Sequence, residues 1–141
     1  MKALKLILEN QSEKLKNLSI RVFNRKSLVQ SEQTPYEIID EYQNTKIRYY
    51  VSPNKKYKEP LVFIPPLAVS TAIYDLHPHR SLVQYFQNQG FDLYLLEWDR
   101  FNYSHHSLNF LYFIDDLIPN CIERIQKHAQ VEDLSIHGWS M

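Results

Sequence analysis

Apolar residues near the start of the chain recur every three or four positions. The stripe consists of Leu4, Leu8, Leu15, Leu18 and Val22, with Gln11 as a polar gap. This spacing places the apolar side chains on one face of a helix, and Lys and Glu fill much of the remainder. We predict one or two amphipathic helices over residues 2–29, within an N-terminal segment of residues 1–33. Such a segment packs on its own domain, or it binds a partner helix or a hydrophobic particle surface.

After this segment the helical spacing gives way to short apolar runs. YEIIDEYQ at 36–43 and KIRYYVS at 46–52 predict two strands of a hairpin, joined at Asn44-Thr45. LVFIPP at 61–66 predicts a short buried strand that ends at two prolines. The chain therefore enters a region of β structure here.

Helical and strand patterns then alternate. HRSLVQYFQNQ at 79–89 has helical spacing, and Gly90 after it suits the left-handed position that ends many helices. FDLYLLEW at 91–98 predicts another strand, rich in apolar and aromatic residues. A second helical pattern covers about residues 108–129, and Pro119 inside it predicts a kink or a break.

The last predicted element is a short strand, LSIH at 134–137, which gives the order β-β-β-α-β-α-β. Two antiparallel strands come first, and apolar strands then alternate with helices, as in a mostly parallel sheet with helices on both faces. We therefore predict the α/β class, with residues 34–141 forming part of one domain.

Composition narrows the functional classes. The chain has 141 residues, 44% of them apolar, and zero net charge, so a packed core is expected and a domain-wide basic surface for nucleic acid is not. The single cysteine, Cys121, cannot form an internal disulfide, which favours a reducing compartment. No apolar run approaches the roughly 18 residues of a membrane span, and the N-terminus lacks the pattern of a signal peptide. We predict a soluble cytoplasmic protein.

Positive charge is concentrated in the N-terminal segment. Residues 1–30 carry seven Lys or Arg and two Asp or Glu, whereas residues 31–141 carry nine and fourteen. A basic amphipathic segment can meet an acidic or hydrophobic surface. A granule or membrane surface is therefore a candidate partner for residues 1–29.

The chain contains two glycines, and one of them lies in a motif with chemical meaning. Residues 138–141, Gly-Trp-Ser-Met, occupy the first four positions of the Gly-x-Ser-x-Gly pattern, beginning at Gly138. This pattern forms the nucleophile elbow of α/β-hydrolases. In an elbow a strand turns sharply into a helix and exposes the serine at the edge of the sheet, with small residues two before and two after it. Ser140 is thus the candidate nucleophile, and the amide of Met141 is a candidate oxyanion-hole donor.

From Thr34 onward the chain resembles the polyhydroxyalkanoate synthases, a family with the α/β-hydrolase fold. The matching stretches are TPYEII, PLVFIPPL, YDLHPHRSLVQYFQNQGFDLYLLEWD and LSIHGWSM. The resemblance covers residues 34–141 and implies an incomplete α/β-hydrolase fold, ending at the elbow. It also implies an acyl ester or acyl-CoA thioester as substrate, and it adds polymer granules to the candidate locations.

The resemblance assigns roles to individual residues. Ser140 falls where the family has its nucleophile, and the amide of Leu67 or Ala68 falls where the second oxyanion donor arises. A segment that follows this loop is expected to position it and the next helix. The matching residues of that segment are Asp75, Leu76, Pro78, Ser81, Leu82 and Val83.

One departure concerns the nucleophile. The synthases carry cysteine there, whereas this chain has Ser140. A serine needs a neighbouring base for activation, so ester or thioester hydrolysis, or acyl transfer, is the safer expectation than polymer synthesis. Cys121 lies among apolar residues of a helical pattern, and we expect it to pack in the core.

The second departure concerns the rest of a catalytic triad. In this fold the acid and the histidine follow the serine in chain order, and only Met141 follows Ser140. His137 lies on the incoming strand and does not suit the role. The other central histidines are His77, His79, His105 and His106. We expect surface or loop positions for these histidines and for Asp99, Asp115 and Asp116. We expect the protein to bind neither a metal nor a cofactor.

Two functions follow as hypotheses. In the first, the chain is the N-terminal part of a serine acyltransferase or hydrolase related to the synthases, and the 141-residue chain alone is inactive. In the second, it is a non-catalytic relative that binds a granule, membrane or partner through residues 1–29. Acyl-chain length and oligomeric state stay open. Because the last strand would lie in mid-sheet in a hydrolase, its open edge predicts poor solubility of the isolated chain.

Overall fold

A computed structural model describes residues 31–98 and 109–140 of the chain, and the predicted N-terminal helix over residues 2–29 lies outside them. The described residues contain a five-stranded mixed sheet with helical segments between its later strands. The strands are β1 (Glu37–Tyr42), β2 (Thr45–Tyr50), β3 (Leu61–Ile64), β4 (Leu93–Trp98) and β5 (Ser135–Gly138). The predicted α/β class and the predicted order of strands and helices are confirmed.

The strands lie in the order β1-β2-β4-β3-β5. β1 pairs antiparallel with β2, and β2 pairs antiparallel with β4. β3 pairs parallel with β4 on one side and parallel with β5 on the other. The sheet is therefore mixed and not mostly parallel as predicted, because two of its four pairings are antiparallel, and β3 is at the centre of the parallel half.

The first two strands form the predicted hairpin, but the turn differs by one residue. Tyr42 pairs with Thr45, so the loop is Gln43-Asn44 and not Asn44-Thr45. Gln43 takes the left-handed conformation, with φ of 52°. Two-residue hairpin loops need such backbone angles to match the twist of the strands. Here the residue with this conformation is a glutamine.

Alternating side chains of the central strands fill a core on each face of the sheet. Val62 and Ile64 of β3 face the long helical segment, together with Tyr94 and Leu96 of β4. On the other face, the core includes Leu61, Phe63, Leu93, Leu95, Tyr74 and Val83. Strands buried on both faces have nearly continuous apolar sequences, which is why LVFI and LYLL contain no polar position.

Helix α1 (Leu82–Gln89) covers one face and has caps at both ends. The Ser81 hydroxyl accepts a hydrogen bond from the amide of Gln84 at 3.0 Å, so the helix starts three residues later than the sequence pattern suggested. Gly90 ends it with φ of 103°, as predicted. A Cβ at Gly90 would lie 2.7 Å from Lys56 Cγ and 2.9 Å from the Asn54 carbonyl, so both space and backbone conformation require glycine.

The second helical segment contains an irregular turn just before Pro119. It comprises α2 (Phe110–Tyr112), a π-helical turn (Phe113–Leu117) and α3 (Ile118–Ala129). Proline has no amide hydrogen to donate to the preceding turn, and the wider π turn adjoins this position. The predicted kink or break is thus a π turn within a helix that continues through Pro119.

The stretch before β1 is held by a buried carboxylate. The Thr34 amide donates to Asp75 Oδ2 at 2.8 Å, and the Glu32 amide donates to the Asp75 carbonyl at 2.7 Å. Asp75 also bridges to Ser81, immediately before α1. The segment around Asp75 therefore joins three parts of the fold: the entry to β1, the loop after β3 and the start of α1.

Candidate active site

The carboxyl ends of β3 and β5 place two predicted site segments at one edge of the sheet. The strands are parallel neighbours, and Ile64 is paired with Gly138. Leu67 and Ala68 come three and four residues beyond Ile64, and Ser140 comes two beyond Gly138. Ligands of open α/β sheets bind at the carboxyl ends of the strands, so this edge is where a site is expected.

Ser140 has an unusual backbone conformation. It is exposed, and its φ of 48° lies in the left-handed region that serine seldom adopts. The preceding residue stays attached to the sheet, since the Trp139 amide donates to the Ile64 carbonyl at 3.3 Å. The Trp139 ring meets the Tyr74 ring edge-on, at 6.1 Å between centroids. Ser140 therefore lies exposed directly after β5, with a left-handed backbone conformation.

Leu67 and Ala68 are the central residues of a tight turn. The Val69 amide donates to the Pro66 carbonyl at 3.4 Å and closes this turn. Both residues line an open cavity of about 820 Å³. Ser140 is not among the described residues that line this cavity, and Met141, the other predicted oxyanion donor, lies outside the described part of the chain.

Gly138 has open space around it among the described residues. No atom lies within 4 Å of a Cβ built at this position, and its φ is not in the positive region. In an elbow, small residues near the serine allow the strand and the following helix to approach. The described residues end at Ser140, so the approach of a following helix to Gly138 stays a prediction.

One wall of the cavity is a network of charged side chains around Arg48. This arginine is 4% exposed, and its guanidinium donates to Glu97 Oε2 and Glu32 Oε1, each at 2.7 Å. Its guanidinium carbon also lies 4.4 Å from the centre of the Tyr36 ring. Burial by itself lowers the pKa of Arg48, but the hydrogen bonds, first of all with Glu97, raise it further above its ordinary value.

The sequence contains one signal for this network. Arg48 lies in KIRYY, between apolar and aromatic residues of a strand paired on both sides. A charged residue in a buried strand almost always has a partner of opposite charge. The partners, however, come from distant parts of the chain, and their identity required the tertiary structure.

The segment matching Asp75 to Val83 has the structural role that the resemblance implies. Asp75 holds the entry to β1, Ser81 caps α1, and Val83 is buried against the sheet. Leu76 and Leu82 are exposed, at 55% and 38%, so they do not contribute to the core. Asp75 Oδ1 and Thr34 Oγ1 are buried without a protein partner, a position that suits an ordered water.

The remaining candidates lie away from this edge or in inert surroundings. Cys121 is fully buried in the core, as predicted, and burial raises the pKa of its thiol to about 11. The His137 ring lies 5.4 Å from that of Phe63 on β3 and 6.0 Å from that of Tyr74. Asp116 is half-buried on the helical segment, where it accepts hydrogen bonds from Tyr42 and Asn120, at 3.2 and 2.9 Å.

His77 and His79 lie on the surface loop before α1, with ring centroids 5.7 Å apart. Within residues 31–98 and 109–140 no group of three or more His, Cys, Asp or Glu side chains is placed to hold a metal ion. His105, His106 and Asp99 lie outside these ranges. The helices in the same two ranges are also too short and too polar to cross a membrane.

Comparison with known proteins gives a consistent set of relatives. No protein-family model matches the chain. It is 27% identical over 110 residues to the poly(3-hydroxyalkanoate) polymerase subunit PhaC of Haloferax mediterranei, covering 77% of this chain and 22% of that protein. It is 22% identical over 117 residues to the subunit PhaC of Haloarcula marismortui, covering 77% of this chain and 25% of that one.

A third relative has a similar polymerase name. The poly(3-hydroxyalkanoate) polymerase of Methylorubrum extorquens is 26% identical over 109 residues, which are 75% of this chain and 18% of the relative. The chain thus spans a quarter or less of the length of the curated relatives that it matches.

Proposed function

Since the chain is a relative of the polyhydroxyalkanoate synthases, we propose that it carries the nucleophile region of an α/β-hydrolase-fold acyltransferase. Ser140 is the nucleophile in this proposal. The observation that supports it most directly is the φ of 48° at Ser140, directly after a parallel strand. Backbone strain of this kind is concentrated at functional sites, and a sharp turn that exposes the serine is the defining feature of a nucleophile elbow.

The proposed reaction is acyl transfer from an ester or thioester. Ser140 Oγ attacks the carbonyl carbon of the acyl group while a histidine takes the hydroxyl proton. The alcohol or thiol then leaves with a proton returned by that histidine, and the acyl group stays on the serine until water or a second hydroxyl removes it. The triad histidine and acid follow the serine in this fold, so they belong to the intact enzyme beyond Ser140.

The negative charge that develops on the carbonyl oxygen needs amide donors. We assign this task to the amides of Met141 and of Leu67 or Ala68. The parallel pairing of β3 and β5 supports this assignment, because it brings the loop after Ile64 and the turn after Gly138 to the same edge. Donors held in place before the reaction lower its barrier because they need no reorganisation in the transition state.

The names of the relatives suggest the acyl group. They are polymerases of 3-hydroxyalkanoate units, so a 3-hydroxyacyl thioester of coenzyme A is the proposed substrate. Serine in place of cysteine favours hydrolysis or single acyl transfer over processive polymerisation, because a serine depends on its base for every attack. We also propose that the enzyme is cytoplasmic and associates with polymer granules.

A chimera tests this function. Residues 1–141 are joined to the part of the Haloferax relative that follows its matched region, and release of coenzyme A from a 3-hydroxyacyl-CoA is measured. We expect Ser140→Ala to reduce kcat by at least about a thousandfold. Ser140→Cys is expected to retain turnover, because a thiolate is a competent nucleophile for thioesters.

The matched control is Ser135→Ala, which changes an exposed serine at the other end of the same strand. It should leave turnover within about twofold of the parent chimera, as expected of a surface position. Full activity of the Ser140→Ala chimera would exclude Ser140 as the nucleophile. The 141-residue chain alone should show no measurable turnover, since isolated triad members give little acceleration.

A further inference from the structure

Glu32 connects the entry of β1 to the loop that follows β3. A single oxygen, Glu32 Oε1, accepts hydrogen bonds from Arg48 Nη1 at 2.7 Å and from Thr71 Oγ1 at 3.0 Å. Arg48 belongs to β2 and also donates to Glu97 of β4. Thr71 is the first residue of the 3-10 helix Thr71–Tyr74, three residues after Ala68. The carboxylate therefore joins a buried cation in the sheet to the loop with the proposed oxyanion amides.

The backbone of Glu32 is strained in a way that this arrangement explains. Its φ is 59°, a left-handed value for a residue with a side chain. Its amide donates to the Asp75 carbonyl at 2.7 Å, so backbone and side chain are both tied to the segment from Thr71 to Asp75. A strained conformation persists only where the surroundings hold it by several contacts.

All parts of the network face the same cavity. Glu32, Arg48, Thr71 and Glu97 line the cavity of about 820 Å³ together with the turn at Leu67-Ala68. If Glu32 were absent, Arg48 would still form its salt bridge with Glu97. Neutralising the charge of the arginine therefore does not require a second carboxylate. Of the two hydrogen bonds that the Glu32 carboxylate accepts, the one from Thr71 reaches the loop after β3, and it adds to the backbone bond with Asp75.

We propose that Glu32 is a positioning residue that holds the loop after β3, and with it the amides of Leu67 and Ala68, in the place required to stabilise an oxyanion. This inference rests on the proposed function for its catalytic consequence. The anchoring itself depends only on the contacts of Glu32, so the two can be tested separately. Because amide donors act through their placement, a small displacement of the loop is expected to lower kcat more than it raises KM.

Hydrogen exchange of the full chain tests the anchoring. The reporters are the amides of Val69, Ala72 and Ile73, which have internal acceptors in the loop and its 3-10 helix. Glu32→Ala is expected to speed their exchange by about tenfold, because it removes a hydrogen bond to a charged group. Amides of β3 and β4 should change by less than about twofold, because they are paired in the sheet.

The matched control is Glu41→Gln, which alters another carboxylate of the same cavity, on β1. It should leave exchange of the loop amides unchanged. Equal acceleration in the loop and in the central strands would overturn the proposal, because Glu32 would then only stabilise the whole fold. No acceleration in the loop would overturn it as well.

Thr71→Val provides a second variant if Glu32→Ala does not fold. It removes only the hydroxyl that reaches Glu32, and it should speed exchange of the loop amides by about threefold. Unchanged exchange in this variant counts against the proposal.

The chimera decides the catalytic consequence. Glu32→Ala in the chimera should lower kcat by at least about tenfold with KM within about twofold, and Glu32→Gln should restore part of kcat because its amide oxygen still accepts. Unchanged kcat with a loosened loop would overturn the positioning role and leave the proposed function intact. If Ser140→Ala has no effect, the proposed function fails, while the exchange data still report whether Glu32 holds the loop.

Discussion

Strands β4 and β5 both lie beside β3 and run parallel to it, but their side chains are in opposite environments. Leu93, Leu95 and Leu96 of β4 are at most 1% exposed, whereas Ile136 of β5 is 54% exposed. β4 pairs with β2 and β3, while among the described strands β5 pairs with β3 alone. Helical segments cover both faces of β4. Position in the sheet, and not strand sequence alone, therefore decides how much each residue contributes to stability.

The comparison also separates stability from the proposed chemistry. The buried strands β3 and β4 form a core in which substitutions are expected to be destabilising. Ser140 instead follows the exposed strand β5 at the edge of the core. A reactive serine has to be reached by substrate, and Ser140 is exposed at the end of β5. Three stability predictions test this contrast, starting from the largest expected effect.

The largest effect is expected from truncating a buried leucine in β4. Leu95→Ala should reduce the free energy of unfolding by about 2–5 kcal/mol, because it removes buried methyl groups and leaves a cavity. Ile136→Ala in β5 should change it by less than about 0.5 kcal/mol, since this side chain is largely exposed. Urea unfolding of the two variants measures both values, and similar losses in the two would contradict the comparison.

The two glycines provide a second test, since Gly90 precedes β4 and Gly138 ends β5. Gly90→Ala should cost about 2 kcal/mol, because alanine is strained at φ of 103° and its Cβ would meet Asn54 and Lys56. Gly138→Ala should be neutral within about 0.5 kcal/mol, because no atom lies within 4 Å of the new Cβ. Thermal unfolding monitored by circular dichroism distinguishes these outcomes. A larger loss for Gly138→Ala would show that β5 is more crowded than described.

The smallest effect concerns the acid dependence of stability around the start of β4. Burial by itself raises the pKa of Asp92, but the Lys55 ammonium at 2.8 Å and the Ser52 amide at 2.9 Å outweigh it, so the pKa is lowered. A lowered carboxyl pKa contributes stability that is present above the unfolded pKa of about 3.9 and is lost as the pH falls through the folded pKa.

Asp92→Asn should therefore cost about 1 kcal/mol at pH 7, and its difference from wild type should shrink below about pH 4. Urea titrations at pH 7, 5 and 3 measure this trend. Asp133→Asn, at an exposed position two residues before β5, is the control and should change stability at pH 7 by less than about 0.5 kcal/mol. A difference for Asp92→Asn that grows toward low pH would contradict the assigned direction of the pKa.

Much of the fold could be predicted from local patterns. The apolar runs located all five strands to within about two residues, and Gly90 marked the end of α1 because a left-handed residue there favours glycine. The predicted turn of the first hairpin was wrong by one residue, because Gln43 adopts a left-handed conformation that is unusual for glutamine. The π turn before Pro119 was anticipated only as an irregularity.

The candidate site was predictable only in part. Ser140 and the turn at Leu67-Ala68 came from a motif and a family resemblance, and the order of the strands brings both to one edge of the sheet. The network of Glu32, Arg48 and Glu97 was not predicted. Its members come from three separate segments, so no local spacing connects them.

The sequence by itself determined the identity of the elements, the end of α1 at Gly90, the burial of Cys121 and the location of the serine motif, because these depend on periodicity and on residues close together in the chain. Only the tertiary structure decided that β3 lies between β4 and β5, that Arg48 is buried beside two glutamates, and that β5 is exposed. These features depend on pairing between distant segments, where the burial of apolar surface on both faces of the sheet selects one arrangement among many.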